Sequence, residues 1–189
     1  MTQLPLRVRN SKYGWIPDLP DKRDLLYKAL MQVSEALPEM VDLRSKDSSI
    51  KNQGHLGACT AFALTGNLEF LKRKDDFSQL FLYYNERVIR GMEDSDSGAS
   101  IRDGIKTLVK IGDCLSDFWP YVIDKFTIVP DEKAYKEALD NQIVSYYRIG
   151  SILEMKHTLS LGFPFVFGFS VYESFETPEV AKTGISWWN

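Results

Sequence analysis

The feature that most constrains this chain is the stretch from residue 50 to 62, Ile-Lys-Asn-Gln-Gly-His-Leu-Gly-Ala-Cys-Thr-Ala-Phe. A polar turn holding Gly54 and Gly57 runs into Cys59. The chain then becomes apolar at once, through Ala61, Phe62, Ala63, Leu64, Leu68, Phe70 and Leu71. This pattern predicts a loop that delivers one thiol to the first turn of a hydrophobic helix ending near Lys72. The first N–H groups of a helix lack internal partners and carry the positive end of its dipole. A thiolate is favoured at such a place, which is how proteins make a cysteine nucleophilic near neutral pH. Gln53, six residues earlier, can point its side-chain amide at the same spot. A cysteine met alone would read as a small buried core residue. The Gln53 spacing and the helix start favour a nucleophile.

Composition narrows the possibilities. The 189 residues make one domain, or one domain preceded by an arm, and a hydrophobic fraction of 44% supports a substantial core. A formal charge of −3 argues against nucleic acid or an anionic membrane as main partner. There is no run of 18 apolar residues to span a membrane, and the start lacks the apolar core of a signal peptide. Two cysteines, Cys59 and Cys114, do not make a disulfide framework, so a reducing, cytoplasmic setting is expected. No glycine-rich phosphate loop or metal-ligand cluster stands out, and no cofactor or metal is expected. The acidic loop Glu93-Asp94-Ser95-Asp96-Ser97-Gly98 lacks the alternating ligands and closing glutamate of an EF-hand, and reads as solvated.

Along the chain, residues 1–37 read as an arm, with Pro17 and Pro20 favouring extended geometry. Within it, residues 22–36 suggest a short helix with Leu25, Leu26, Ala29, Leu30 and Val33 on one face. Residues 41–44 suggest a short strand. After the Cys59 helix, Ser78 is a plausible cap for a helix to Arg90 closed by Gly91, and Ser100 for one ended by Gly112. Residues 131–141 and 151–161 read as further helices, the second stopped by Gly162. Residues 143–149 have strand composition. In residues 163–171, phenylalanines 163, 165, 167 and 169 alternate around Val166, as in a strand buried on both faces. Helices first and strands later point to an α+β fold with two unlike halves.

At Gln53-Gly54-His55-Leu56-Gly57-Ala58-Cys59-Thr60-Ala61-Phe62 the sequence resembles the papain-like cysteine peptidases. Pro38-Glu39-Met40-Val41-Asp42-Leu43-Arg44 is similar to the start of that family's mature domain, and Ser97-Gly98-Ala99-Ser100 with Trp119-Pro120-Tyr121 to its substrate-side loop and tyrosine-bearing turn. The resemblance spans about residues 38–180. It implies a helical lobe carrying Cys59, a β-rich lobe carrying a histidine and an asparagine, and a peptide or protein substrate in the cleft between them.

Carried over by position, Cys59 is the nucleophile, and Gln53 with the Cys59 N–H forms the oxyanion hole. Gly98 and Ala99 pair with substrate backbone, Gly57 belongs to the same substrate-facing turn, and Ile101 and Gly168 flank a specificity pocket. The arm is similar to those preceding some microbial members and is expected to lie in or near the cleft. Three departures stand out. Leu56 replaces a disulfide cysteine of many members, Thr60 replaces the usual aromatic, and the partner histidine and asparagine are due near or past Asn189. His55, in the turn, and His157, mid-helix, are poor substitutes, so the β-rich lobe is expected to be incomplete. A non-catalytic pseudo-peptidase that binds a peptide or protein partner is the alternative.

Overall fold

The computed structural model describes residues 13–29, 36–73 and 76–183. Among them six α-helices occur: α1 (Cys59–Lys72), α2 (Gln79–Val88), α3 (Ile101–Lys110), α4 (Glu132–Ala138), α5 (Ile152–Ser160) and α6 (Pro178–Thr183). Most starts are set by a side chain that takes an orphan N–H. Ser78 accepts from the Phe81 N–H at 3.1 Å and Asp131 from Ala134 at 2.9 Å. Ser100 accepts from the Asp103 N–H and donates back to the Asp103 carboxylate, a reciprocal cap. Ser151 and Glu154 close α5 in the same way, and Glu154 also takes the Gly150 N–H.

The core gathers around α2. Every residue from Gln79 to Arg87 is buried, so this helix has no solvent face. Leu80, Phe81, Leu82 and Tyr83 pack with Leu64 and Leu68 of α1, Leu108 of α3, and Ala134 and Ala138 of α4. Two polar residues of α2, Asn85 and Arg87, are bonded inside. Asn85 donates to the Phe81 carbonyl at 2.9 Å and accepts from the Tyr135 hydroxyl at 2.9 Å.

Three segments depart from the sequence reading. Residues 41–44 form no strand and lead into a 3₁₀ turn at Arg44–Lys46. The Asp42 carboxylate takes the Arg44 N–H at 3.0 Å and its guanidinium, a local bond that competes with extended pairing. Among the described residues of the arm, Tyr27–Ala29 make a 3₁₀ turn, and residues 30–35, including Leu30 and Val33, lie outside the described residues. The helix does not begin at residue 22 because Leu25 and Tyr27 are engaged elsewhere. The Leu25 carbonyl accepts from Arg148 at 2.7 Å, and the Tyr27 N–H donates to Arg148 at 3.0 Å.

The third departure concerns the β-rich half. Among the described residues pairing is limited to isolated bridges, Trp15 with Ala99, Leu26 with Arg148 and Phe77 with Leu115. Residues 163–171 are not buried on both faces: Phe163 is 50% exposed and Phe167 58%. A strand exists through the neighbour that takes its N–H and C=O groups, and side-chain alternation cannot supply that neighbour. The phenylalanines instead contact one another, Phe167 stacking on Phe169 at 5.8 Å and Phe169 meeting Phe175 edge-on at 5.3 Å. The terminal tryptophans, Trp187 and Trp188, lie outside the described residues.

Candidate active site

The turn before α1 is held from several sides. Lys51 pairs with the buried Glu69 of α1 and with Asp76. Asn52 folds its side-chain oxygen back onto the Gly54 N–H at 2.8 Å, where Gly54 adopts a φ of 62°. The Gln53 side-chain amide donates to the Leu56 carbonyl at 2.9 Å, and the Gln53 carbonyl accepts from the Tyr121 hydroxyl at 2.9 Å. Tyr121 in turn meets Phe62 of α1 edge-on at 4.9 Å. Leu56, Gly57 and Ala58 are buried, and Cys59 emerges as a free, partly exposed thiol on the first residue of α1. Ala58, the residue before it, caps no N–H with its side chain.

The acidic loop is not simply solvated, as its composition implied. Arg87, fully buried in α2, donates to the carbonyls of Glu93 at 2.7 Å, Ser95 at 2.8 Å and Phe126. Its guanidinium stacks 4.2 Å from the Tyr83 ring centroid. Tyr83 donates its hydroxyl to Asp96 and accepts from the Gly98 N–H at 3.1 Å. Asp96 also takes the Gly57 N–H at 3.0 Å. Of the charges that looked solvated, Asp96 is turned into the folded loop, while Asp94 stays exposed.

Across this loop lies the arm. The Ala99 N–H donates to the Gly14 carbonyl at 3.0 Å, and the Ile16 N–H donates to the Ala99 carbonyl at 2.9 Å. Contact is close enough to require glycine on both sides. A Cβ on Gly14 would stand 1.8 Å from the Gly57 oxygen, and one on Gly98 would stand 2.0 Å from the Gly14 oxygen. The Trp15 indole covers Gly168 so closely that a Cβ there would lie 2.2 Å from the ring. Beside it opens a cavity of about 1060 Å³ lined by Trp15, Leu64, Ile101, Ile105, Phe165 and Gly168. Further along, Arg102 of α3 clasps the arm. It donates to the Leu19 carbonyl at 2.7 Å and to Asp24 at 2.7 Å, and Asp24 also accepts from Arg148 at 2.8 Å.

The geometry has counterparts among known proteins. No family model matches the chain. An uncharacterised peptidase C1-like protein of Acanthamoeba polyphaga mimivirus is 38% identical over 204 aligned residues, covering 92% of this chain. The chain spans 66% of that relative's length. Xylellain, a cysteine protease from Xylella fastidiosa, superposes with a TM-score of 0.78 at 37% identity, over 92% of this chain and 72% of its own. The chain belongs to the papain-like cysteine peptidases. A solved structure concerned with the mite allergens Blo t 1 and Der p 1 shares the fold at a TM-score of 0.50 and 22% identity, over 69% of this chain and 45% of its own. The fold is thus the α+β fold of the papain-like enzymes, with its helical part dominant among the described residues.

Within this papain-like frame the residues singled out by sequence fall into two groups. Cys59, Gln53 and Gly57 share one turn. Gly98 and Ala99 face it through Gly14, and Ile101 and Gly168 line one cavity. The histidines stay apart from this arrangement. His55 is exposed in the turn, and His157 on α5 shares a 2.8 Å hydrogen bond with Tyr27. Cys114 is fully buried, and burial pushes its thiol well above the usual range.

Sequence reading missed Asp96, Tyr83, Arg87 and Glu86. Glu86 is also fully buried and accepts from the Thr60 hydroxyl at 2.6 Å, directly behind Cys59. A signal was available. The run Leu80-Phe81-Leu82-Tyr83-Tyr84 is apolar on every helical face, so Asn85, Glu86 and Arg87 had to be buried and therefore partnered.

Proposed function

We propose that this chain carries the nucleophile side of a cysteine peptidase site, with Cys59 as nucleophile and the N-terminal arm as an intramolecular occupant of the cleft. The Cys59 thiolate attacks a peptide carbonyl, forming a carbon–sulfur bond. The oxyanion is met by the Cys59 N–H and the Gln53 amide, whose plane is fixed by its bond to Leu56. The departing amine takes a proton from a histidine, and water then releases the acyl group from sulfur. Residues 142–183 are read as the start of the β-rich second lobe.

The observation that carries this reading is at Ala99. Both its backbone N–H and its carbonyl are engaged by an extended peptide, residues 14–16, which lies against Gly57 two residues before the cysteine. A cleft that pairs with one extended backbone is built to pair with another. Trp15 against Gly168 fills the place assigned to a substrate side chain.

A second reading rests on the histidines. With His157 engaged by Tyr27 and His55 turned to solvent, the described residues offer Cys59 no oriented base, which favours a pseudo-peptidase that binds peptide without cleaving it. Alkylation separates the two. At pH 6 an activated Cys59 reacts with iodoacetamide faster than a model thiol, and a fluorogenic peptide is cleaved by the Gly14→Val chain, whose arm is displaced from Gly57, but not when Cys59→Ser is added. A Cys59 no faster than the model thiol rejects the nucleophile reading. A fast thiol without peptide cleavage selects the pseudo-peptidase.

A further inference from the structure

Both cysteines are free, so no covalent link ties the turn before Cys59 to the loop that presents Gly98 and Ala99. Leu56 stands in the turn where many members of the family have a disulfide cysteine. Yet the two loops must hold a fixed separation if a peptide paired at Ala99 is to place its carbonyl on the Cys59 sulfur. A 1 Å misplacement costs about a hundredfold in rate.

The geometry points to Asp96 as the residue that sets this separation, a non-covalent clamp between the nucleophile turn and the substrate-pairing loop. This rests on the peptidase reading above and specifies how its site is positioned. One Asp96 carboxylate takes the Gly57 N–H at 3.0 Å, two residues before Cys59. The same carboxylate takes the Tyr83 hydroxyl, and that hydroxyl takes the Gly98 N–H at 3.1 Å, one residue before Ala99. Tyr83 itself cannot drift. It is fully buried in α2, and Arg87 lies over its ring while gripping the carbonyls of Glu93 and Ser95 on the same loop. The clamp thus runs from the central helix outward to both loops.

Charge explains the choice of aspartate. A carboxylate accepts from two donors at once, and a charged acceptor makes stronger bonds to N–H and O–H groups than a neutral one. Asp96 does not touch a reacting atom; it is a positioning residue, acting through Gly57 and Gly98.

The test compares two probes of Cys59 on the full chain carrying Gly14→Val, which lifts the arm off Ala99: small iodoacetamide and a peptidyl epoxide that must span from Ala99 to the sulfur. Asp96→Ala is expected to slow the epoxide by about ten- to a hundredfold while leaving iodoacetamide nearly unchanged. Asp96→Asn, which keeps an acceptor for the Gly57 N–H, restores most of the loss and remains informative where the alanine variant folds poorly. Tyr83→Phe lowers the same ratio, and its effect does not add to that of Asp96→Ala. An epoxide-to-iodoacetamide ratio that stays level or rises in Asp96→Ala overturns the clamp.

If the Gly14→Val chain, with its arm displaced, shows no preference for the epoxide, the peptidase reading fails. The clamp is then judged by hydrogen exchange. Asp96→Ala should speed exchange at the Gly57 amide without lowering global stability to match, and an unchanged Gly57 amide overturns it.

Discussion

Gly14 of the arm lies directly on the backbone of Gly57, so close that a Cβ at Gly14 would stand 1.8 Å from the Gly57 oxygen. No side chain fits there while the arm keeps its place. Gly14→Val should therefore expel the arm locally, at a cost of about 1–3 kcal/mol to the closed form. That corresponds to a rise of roughly 5- to 150-fold in the rate at which a bulky maleimide labels Cys59. Mass-resolved labelling kinetics check it, with no change expected at buried Cys114.

Arg102 is the arm's main clasp on α3, through Leu19 and Asp24. Arg102→Ala should release residues 18–24 to limited proteolysis. Burial disfavours the Asp24 charge, but hydrogen bonds from Arg148 and Arg102 outweigh it and hold the carboxyl below its usual range. A depressed carboxylate keeps its stabilising charge above its ordinary value and loses it only as pH falls through the lowered one. Acidifying from pH 7 to 5 should therefore leave the clasp shut. High salt, which screens partly exposed pairs, should loosen it sooner. Proteolysis across pH and salt gives the readout.

Glu86 predicts a pH dependence of opposite sign. Burial pushes its carboxyl up to about 8, from an ordinary value of 4.5. Between those values the folded chain holds a proton that the unfolded chain has released, so stability falls as pH rises. At pH 7 the loss is about 3 kcal/mol. Glu86→Gln should flatten the curve of unfolding free energy between pH 5 and 8 and raise the melting point at the upper end. Parallel curves for the two proteins would contradict it.

Arg87 donates to four backbone carbonyls, those of Tyr83, Glu93, Ser95 and Phe126. Lysine has no planar fork and cannot reach them together. Arg87→Lys should cost about 2–3 kcal/mol, read by urea unfolding, because one buried and up to three part-buried carbonyls lose a charged donor at once.

How much of this was legible in sequence follows from the range of the forces involved. Helix α1 was expected to start at Cys59 and end near Lys72, and does, without a side-chain cap, because apolar spacing acts within a few residues. Ser78 and Ser100 cap α2 and α3 for the same reason, although α2 stops at Val88, short of Arg90. The arm's engagement with Ala99 and the Leu25 bond to Arg148 join residues more than 80 apart, where no local pattern reaches. The alternating phenylalanines of residues 163–171 gave the right side-chain period for a strand. Period alone does not name the partner, and the exposed Phe163 and Phe167 are the result. Asp96 was misread because acidity at a loop tip usually means water, whereas here it means Gly57 and Tyr83.

Through Arg87, helix α2 has no solvent face, and the clamp on the nucleophile turn is rooted in it. A helix enclosed on all sides cannot fray by itself; its amides exchange only when the surrounding helices part. The scaffold behind Cys59 is therefore among the last parts of the molecule to be lost on heating. As temperature rises the arm should leave first and the thiol's setting last, so that mild warming uncovers the cleft before it dismantles it.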